Sequence, residues 1–315
     1  MKHVFVFDPK AFYNQQWIMD GILDQIGQFF RTQDRPDWSI QMSRFRRDAV
    51  GIIHNEVEKA NEGETVRIYA VGGEEILFDC LNGVVNLPNT ELAAIPYGET
   101  HDFLNIFDAS KIEQFKDIPS MVKAKSIPTD MIGWGVNYAL NSCYIGLNSA
   151  MVIRLRGLKT MLNKRTFIIF SKIFAFINYL GTAFDKKITA QKYRISIDDR
   201  DYSGSYSIIH IANGPYHAGK LSGSISARPD DGILDIALIK SARPLKIIYS
   251  MRRYANGKQP SNCVFLKGKK ISIQSEQEMW IQLDNEYFRD TNINLRVIPG
   301  AVQMVALEGL ALTYQ

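Results

Sequence analysis

Hydrophobic residues in the first hundred positions alternate between short continuous runs and longer stretches with helical spacing. Ile18, Ile22 and Ile26 recur every fourth residue and predict a helix over residues 17–30. A second helix, with Asp48 as its N-cap, and a third after residue 73 show similar spacing. The runs between these segments predict strands over residues 3–7, 39–42, 66–71 and 91–95. Strands that alternate with helices are typical of a parallel sheet covered by helices.

Beyond about residue 129 the pattern changes to the alternation of apolar and polar residues that is typical of antiparallel strands. Such runs occupy residues 194–197, 207–212, 234–239, 270–274, 280–283 and 293–298. A helical stretch over residues 155–183 lies between the two regions. We therefore predict an α/β domain over residues 1–129 and a mostly antiparallel domain over residues 130–315, with a last strand or tail that can return to the first domain.

The amino-acid composition limits the classes of function and partner that we expect. The 315 residues are enough for two domains, and the net charge of +4 is spread along the chain without a basic tail, so nucleic acid is not the expected partner. The three cysteines are far apart and indicate reduced thiols in a cytoplasmic protein. No signal peptide is indicated at the start. Lys172 and Asn178 interrupt the most apolar segment, so we expect no transmembrane segment.

A glycine pair lies where the third predicted strand meets the following helix. Gly72 and Gly73 would let backbone amides approach a phosphate at the N-terminus of that helix. Glycine pairs are also common in tight turns that bind nothing. On these residues alone, both interpretations stay open.

An ordered set of short motifs extends along nearly the whole chain. The motifs are Asp8-Pro9, Ser43 with Asp48-Ala49, Gly72-Gly73-Glu74, Asn82-Gly83, Pro96-Tyr97-Gly98, Asp102-Phe103, Asn213-Gly214 with Tyr216 and Gly219, Asp230 to Asp235, and Asp284-Asn285-Glu286. In this order they resemble the diacylglycerol kinase catalytic-domain family, which includes sphingosine kinases and soluble bacterial lipid kinases. No single motif carries the resemblance. By these motifs the chain resembles a divergent member of that family.

The resemblance implies a Rossmann-like nucleotide-binding domain, a C-terminal β-sandwich that holds the lipid, and an active site between them. ATP, with Mg²⁺, would donate its γ-phosphate to a lipid hydroxyl of the diacylglycerol type. Glu286 would be the general base, with Asp284 beside it. The resemblance places the nucleotide contacts at Asp8, Ser43, Gly72, Gly73, Glu74, Glu75, Ile76, Gly98 and Glu99.

The same resemblance implies a structural Mg²⁺ in the loop over residues 228–234. Asp231 would contribute its carboxylate, and Arg228 and Ile233 their carbonyl oxygens, which suits a cation that prefers oxygen ligands. The sequence Pro229-Asp230-Asp231-Gly232 is also good turn chemistry without any ion. Both interpretations stay open.

The phosphate loop departs from the family pattern. Where the family has Gly-Gly-Asp-Gly-Thr, Glu75 and Ile76 replace the last glycine and the threonine, and Glu99 replaces a threonine in the second loop. Carboxylates beside a polyanion repel it. Three hypotheses remain: use of Mg-ATP with additional metal, a changed donor or ligand, or a catalytically inactive lipid-binding or regulatory protein. A nicotinamide-nucleotide kinase is disfavoured because Phe78-Asp79 stands where an Asn-Glu pair is expected.

The central helical stretch carries apolar residues around most of its circumference and lysines at its ends. It can pack as core or meet acyl chains at an anionic membrane surface. We expect a cytoplasmic protein with peripheral membrane association as one option, and a homodimer as one of the oligomeric states left open.

Overall fold

The computed structural model describes residues 1–13, 15–34, 36–98, 101–107, 109–161, 164–217, 220–221, 224 and 226–307. Most of its strands join in one 14-stranded sheet, and two short strands form a separate ribbon. Most neighbouring strands of the large sheet are antiparallel, but the pairs in the first hundred residues are parallel.

The N-terminal elements alternate between strand and helix. They are β1 (Lys2–Phe7), α1 (Gln16–Arg31), β2 (Asp37–Met42), α2 (Asp48–Glu58), β3 (Val66–Gly72), α3 (Glu74–Val84) and β4 (Thr90–Pro96). The strands lie in the order β2-β1-β3-β4. Strands β1 and β3 are buried along their whole length. Because parallel strands end at one edge, the turns after β1, β2, β3 and β4 lie side by side there.

The start of α2 differs from the prediction. Arg47, in a left-handed conformation with φ of 66°, occupies the N-cap, and Asp48 is the first helical residue. The Asp48 carboxylate accepts the backbone N–H of Arg44 at 2.8 Å. The prediction of Asp48 as the N-cap was therefore wrong by one position. The Asp48 carboxylate accepts the N–H of a residue before the helix, Arg44, and not an N–H of the first helical turn.

The chain then passes through two short 3-10 helices, Leu104–Phe107 and Ala109–Lys116, to the second half. The following elements are α4 (Ile118–Lys123), β5 (Lys125–Trp134), β6 (Asn137–Ala139), β7 (Ser142–Gly146), α5 (Leu147–Met161), α6 (Lys164–Phe184), α7 (Lys186–Thr189), β8 (Lys192–Ile197), β9 (Arg200–Asp201), β10 (Gly204–Ala212), β11 (Tyr216–His217), β12 (Lys220–Leu221), β13 (Leu234–Lys240), α8 (Pro244–Tyr254), β14 (Cys263–Gly268), β15 (Lys270–Leu283) and β16 (Glu286–Ala306). The single predicted helical stretch is two helices, α5 and α6. No helix in the described ranges is both long and apolar enough to cross a bilayer.

The long strand β16 connects the two halves. It pairs antiparallel with β15 and β5, and parallel with β4 through Gln303 and Met304. One core, rich in phenylalanine, lies around the parallel strands. A second, rich in isoleucine, lies between the antiparallel strands, and a third lies beneath α6 and α8. β16 begins beside β15, and its first residue, Glu286, contacts Arg46 in the turn after β2 of the parallel sheet.

Candidate active site

The turn after β1 places a carboxylate at the edge where the parallel strands end. Asp8 is the N-cap of the 3-10 helix Pro9–Phe12, and its Oδ1 accepts the backbone N–H of Lys10 at 3.0 Å. Burial raises the pKa of the Asp8 carboxyl, the Lys10 amide opposes that shift, and the negative charge of Glu75 adds to it. Asp8 therefore shares an electrostatic environment with the turn after β3.

The turn after β2 carries two arginines, Arg46 and Arg47, close to Ser43 in the sequence. The Arg47 guanidinium lies 4.9 Å from the centre of the Phe78 ring, and its backbone N–H donates to Asp79 Oδ2 at 2.7 Å. Burial raises the pKa of the Asp79 carboxyl. The Phe78-Asp79 pair thus holds the turn that presents Arg46 to the cleft.

Two loops meet through glycines after β3 and β4. A Cβ at Gly98 would lie 2.3 Å from the Cα of Gly73, and a Cβ at Gly73 would lie 3.2 Å from the Cα of Gly98. The Tyr97 N–H donates to the Gly72 carbonyl at 2.8 Å. Gly72 has a φ of +152°. These glycines allow close backbone packing, which is a structural reason for them that needs no ligand.

The two glutamates that follow Gly73 point in different directions. Glu74 turns inward, where its Oε1 accepts the Asp102 backbone N–H at 2.5 Å. Burial, with the negative charges of Asp102 and Asp284, raises the pKa of Glu74 well above its usual range. Glu75 is exposed at the mouth of the cleft, and Ile76 is buried. Glu99, the other acidic replacement predicted at this site, lies outside the described residues.

Glu286 is the first residue of β16 and is 7% exposed. Its Oε1 accepts Arg46 Nε at 2.8 Å, and Arg46 Nη2 contacts Oε2. Because 62% of the Arg46 side chain is exposed, the ion pair lies at the cleft mouth with the carboxylate on its inner side.

Asp284 has a different setting from Glu286. Its carboxylate accepts the backbone N–H groups of Leu140, Asn141 and Ser142 at 2.7, 3.0 and 2.8 Å. Burial raises the pKa of Asp284 to about 7, and the three amides oppose that shift. These contacts make Asp284 an anchor for the loop before β7, and they support a positioning role for it rather than contact with substrate.

A cavity of about 140 Å³ brings part of the predicted set together. Its lining includes the predicted residues Asp8, Ser43, Glu75, Ile76 and Glu286, together with Lys10, Phe45, Arg46, Asp79 and Asn285. The other described residues of the predicted set, Gly72, Gly73, Glu74, Gly98 and Asp284, do not line this cavity. Four carboxylates in the lining face two cationic side chains, so the cavity favours cations or an anion that carries its own counter-ion.

Sequence reasoning missed the two cations of this cavity. Lys10 lies two residues after Asp8, and Arg46 lies in a turn rich in arginine between β2 and α2. That arginine-rich turn was the available signal. It did not identify Arg46 as the partner of Glu286, because the two residues are 240 positions apart.

The loop predicted to hold a structural Mg²⁺ already contains ion pairs with basic side chains. Lys267 Nζ lies 3.7 Å from Asp231 Oδ2 and 3.1 Å from Asp235 Oδ2, while Asp231 Oδ1 accepts the Ile233 backbone N–H at 3.1 Å. Burial raises the pKa of the Asp231 carboxyl. The Arg228 side chain binds Asp230. A lysine ammonium thus lies beside the carboxylate that would bind the ion, and the structural Mg²⁺ at Asp231 and the carbonyl oxygens of Arg228 and Ile233 stays a prediction.

Comparisons with known proteins show what this chain resembles. Residues 175–306 match the family model described as the YegS C-terminal NAD kinase beta sandwich-like domain. Two Staphylococcus aureus proteins, from strains bovine RF122/ET3-1 and Mu3, are named as candidate lipid kinases. Each is 29% identical to this chain, over 86% of this chain and 87% of the relative. The resemblance to diacylglycerol kinase-like proteins is confirmed.

Solved structures extend the similarity to the whole fold. A candidate diacylglycerol kinase of Bacillus anthracis superposes with a TM-score of 0.74 at 21% identity, over 98% of both chains. A second structure, titled a diacylglycerol kinase of the same organism, gives a TM-score of 0.71 at 20% identity, also over 98% of both chains. The diacylglycerol kinase-like fold, with its C-terminal β-sandwich-like domain, is thereby established for this chain.

Proposed function

We propose that this protein is a lipid kinase-like phosphotransferase that moves the γ-phosphate of ATP to the hydroxyl of a diacylglycerol-type lipid. Residues 1–129 would be the Rossmann-like nucleotide-binding domain, and residues 130–315 the lipid domain. One observation carries the proposal. Glu286, from the C-terminal half, lines the same small cavity as Asp8, Ser43 and Glu75 of the first turn of α3.

The chemistry that this geometry favours is activation of a hydroxyl beside a phosphate. Glu286 would accept the proton of the lipid hydroxyl as that oxygen attacks phosphorus and the bond to the departing nucleoside diphosphate breaks. Arg46 would leave Glu286 and neutralise the phosphates, since its exposed side chain is free to turn toward the cleft mouth. Lys10 would supply a second positive charge from the turn after β1.

Because the cavity lining is acidic, we expect Mg²⁺ to enter together with the nucleotide. Within the described ranges, no three His, Cys, Asp or Glu side chains are grouped as a metal centre. Mg²⁺ is commonly held by one or two carboxylates together with substrate phosphates, and Asp8 and Glu75 are placed to provide them. When bound, the ion neutralises charge that develops on the phosphate oxygens.

A second candidate function, a non-catalytic lipid-binding protein on the same scaffold, is favoured by one specific observation. The ion pair between Arg46 and Glu286 engages the proposed base, and the cavity behind it is about 140 Å³. Small-molecule sites usually enclose roughly 300–1,000 Å³. A nucleotide would therefore have to open this ion pair before it could bind.

The test combines calorimetric titration with Mg-ATP and transfer of labelled γ-phosphate to mixed lipid acceptors. We expect transfer by the wild-type protein and a loss of about 100-fold or more in kcat for Glu286→Gln, with the KM for ATP nearly unchanged. Glu62→Gln, at an exposed residue in the turn after α2, is the matched control and should behave as wild type. Absence of ATP binding at millimolar concentration would reject the kinase and leave the lipid-binding function.

A further inference from the structure

The inner face of helix α6, over residues 173–184, makes polar contacts with α5 as well as apolar contacts in the third core. Asn178 Nδ2 donates to the Met151 carbonyl of α5 at 2.6 Å, and Thr182 is fully buried beneath it. The next residue along this face, Asp185, accepts Arg154 Nη2 of α5 at 2.7 Å. Tyr179 and Ala183 of α6 pack in the third core, so the inner face of α6 combines polar contacts with apolar ones.

The opposite face of α6 is apolar and exposed. Ile173, Phe176, Ile177 and Phe184 recur at helical spacing and are 54, 61, 60 and 57% exposed. Large apolar side chains on the solvent side of a helix gain nothing from the folding of their own chain. Such a stripe indicates contact with an apolar phase or a partner.

Helix α8 continues this exposed surface. The Tyr179 hydroxyl of α6 donates to the Ile248 carbonyl of α8 at 3.1 Å, so the helices are neighbours. Leu245 and Tyr249, one turn apart on α8, are 75 and 59% exposed. Among the described residues, six of the eleven exposed large apolar side chains belong to these two helices. The exposed apolar surface is therefore concentrated rather than scattered.

Basic residues lie on the same elements as these apolar side chains and in the segment that follows α6. The sequences of α6 and α8 contain no Asp or Glu, and Lys246 and Arg252 are exposed on α8. Directly after α6, a groove of about 740 Å³ is lined by Lys186, Lys187, Lys192 and Arg194, with Glu276 as its acidic residue. An apolar strip flanked by lysine and arginine has the complementary chemistry of an anionic bilayer, whose acyl chains lie just below its negative headgroups.

We propose that the outward faces of α6 and α8 form a docking surface for anionic membranes. This inference deepens the proposed function, because a lipid kinase needs its acceptor at the membrane surface, but it rests on contacts separate from the cavity at Glu286. A second copy of the chain fits the surface less well, since its basic residues would then face the same basic residues across the contact.

The docking surface is tested by sedimentation with vesicles in the absence of nucleotide. Vesicles of phosphatidylcholine alone are compared with vesicles that also contain phosphatidylglycerol. We expect wild-type protein to bind the anionic vesicles, and Phe176→Ser and Leu245→Ser each to weaken that binding about tenfold. Trp17→Ser, at a residue of α1 that is 74% exposed, is the matched apolar control and should bind as wild type.

The basic residues need their own pair of variants. Lys186→Gln with Lys187→Gln should lower the affinity for anionic vesicles and make the remaining binding less sensitive to salt. Lys123→Gln with Lys125→Gln, two exposed lysines of the N-terminal half, should change neither quantity. Equal vesicle binding by all variants, or no binding by wild-type protein, would overturn the docking surface.

Two readouts separate this inference from its alternatives. A dimer in solution that Phe176→Ser dissociates would show that a second copy covers the surface, and would overturn membrane docking. Phosphorylation of a short-chain acceptor that is dispersed in detergent reports the cavity alone. Transfer to that acceptor without vesicle binding would reject the docking surface and keep the kinase, and vesicle binding without transfer would do the reverse.

Discussion

Individual residues at this site serve packing as well as chemistry. Gly98 shows this most directly, because its contact with Gly73 brings two loops closer than any side chain would allow. The glycines that first indicated a phosphate loop are therefore required even if no nucleotide binds. What distinguishes a binding site from a packed turn here is the set of charges that faces the cavity.

Gly98→Ala should disturb both the fold and the site. Because its Cβ would lie 2.3 Å from backbone, one of the two loops must move, and we expect a loss of about 2 kcal/mol or more in the free energy of unfolding. Gly27→Ala, with nothing within 4 Å of its Cβ, is the control and should be neutral or stabilising by up to about 1 kcal/mol. Urea denaturation measures both. Equal stability of the two variants would show that the loops are not tightly packed.

Lys267 provides a test of metal use in the loop over residues 228–234. Lys267→Met leaves Asp231 and Asp235 without their cation, and we expect a loss of about 1 kcal/mol, kept small because Lys267 is partly exposed. Millimolar Mg²⁺ should raise the Tm of this variant more than that of wild type. Lys269→Met, at an exposed neighbour, should resemble wild type. A strong Mg²⁺ dependence in wild-type protein itself would show that the loop holds a metal despite Lys267.

At the scale of elements, β1 shows how a strand buried on both faces accommodates a polar residue. His3 is 9% exposed, its Nδ1 lies 2.8 Å from the Tyr69 hydroxyl of β3, and its ring centre lies 5.2 Å from that of Phe30 in a tilted arrangement. Burial, followed by the positive charge of Arg67, lowers the pKa of His3 to about 4. The folded strand therefore requires the neutral imidazole.

Acid should weaken the protein through His3. The unfolded chain binds a proton at His3 near pH 6.5 and the folded chain only near pH 4, so this contribution is present above pH 6.5 and is lost as the pH falls to 4. Its size is about 3 kcal/mol at most. Free energies of unfolding at pH 7 and 4.5 should differ less in His3→Gln than in wild type. His54→Gln, at an exposed histidine of α2, should keep the wild-type difference. An unchanged slope in His3→Gln would contradict this account.

Helices α5 and α6 show how an element can pack in a way that its own pattern does not indicate. The apolar residues of the predicted helical stretch were compatible with burial, yet the buried face of α6 carries Asn178 and Thr182. Contacts with α5 decide the side that is buried. Tyr179 and Ala183 make the apolar contacts beneath α6, and the other large apolar residues Ile173, Phe176 and Ile177 stay exposed.

At the scale of the whole molecule, β16 makes one sheet of two differently built halves. Met304 is fully buried and lies opposite Leu92 of β4 and Ile127 of β5. The first residue of the same strand is Glu286. A single strand thus connects the proposed base to the strand whose end carries the Gly98 turn.

Met304→Lys should destabilise both halves together. A buried charge without a partner costs several kcal/mol, so we expect a Tm lower by about 10 °C or more and one calorimetric transition in wild type. Asn294→Lys places the same side chain at an exposed position of β16 and should leave the Tm within about 2 °C. Two separate wild-type transitions, with only one shifted by Met304→Lys, would show that the halves unfold independently.

Much of the local architecture could be predicted from the chain itself. The strands β1, β3 and β4 and the helices α1 to α3 follow from apolar periodicity, because that pattern directly reflects which side of an element is buried. Glu286 was found through the order of the motifs rather than through periodicity, since a carboxylate at a strand start has no distinctive local pattern. Lys10 and Arg46 were missed because their significance depends on distant partners.

The amino-acid sequence by itself determined the positions of most elements, the change from a parallel to an antiparallel strand pattern, and the resemblance to lipid kinases. Only the tertiary structure decided that Glu74 turns inward while Glu75 faces the cleft, that Arg46 binds Glu286, and that α6 keeps its apolar face outside. Periodicity specifies the buried side of an element through short-range spacing. Which distant group meets a given side chain depends on how β16 and the turns of the parallel sheet assemble, and that is a property of the folded molecule.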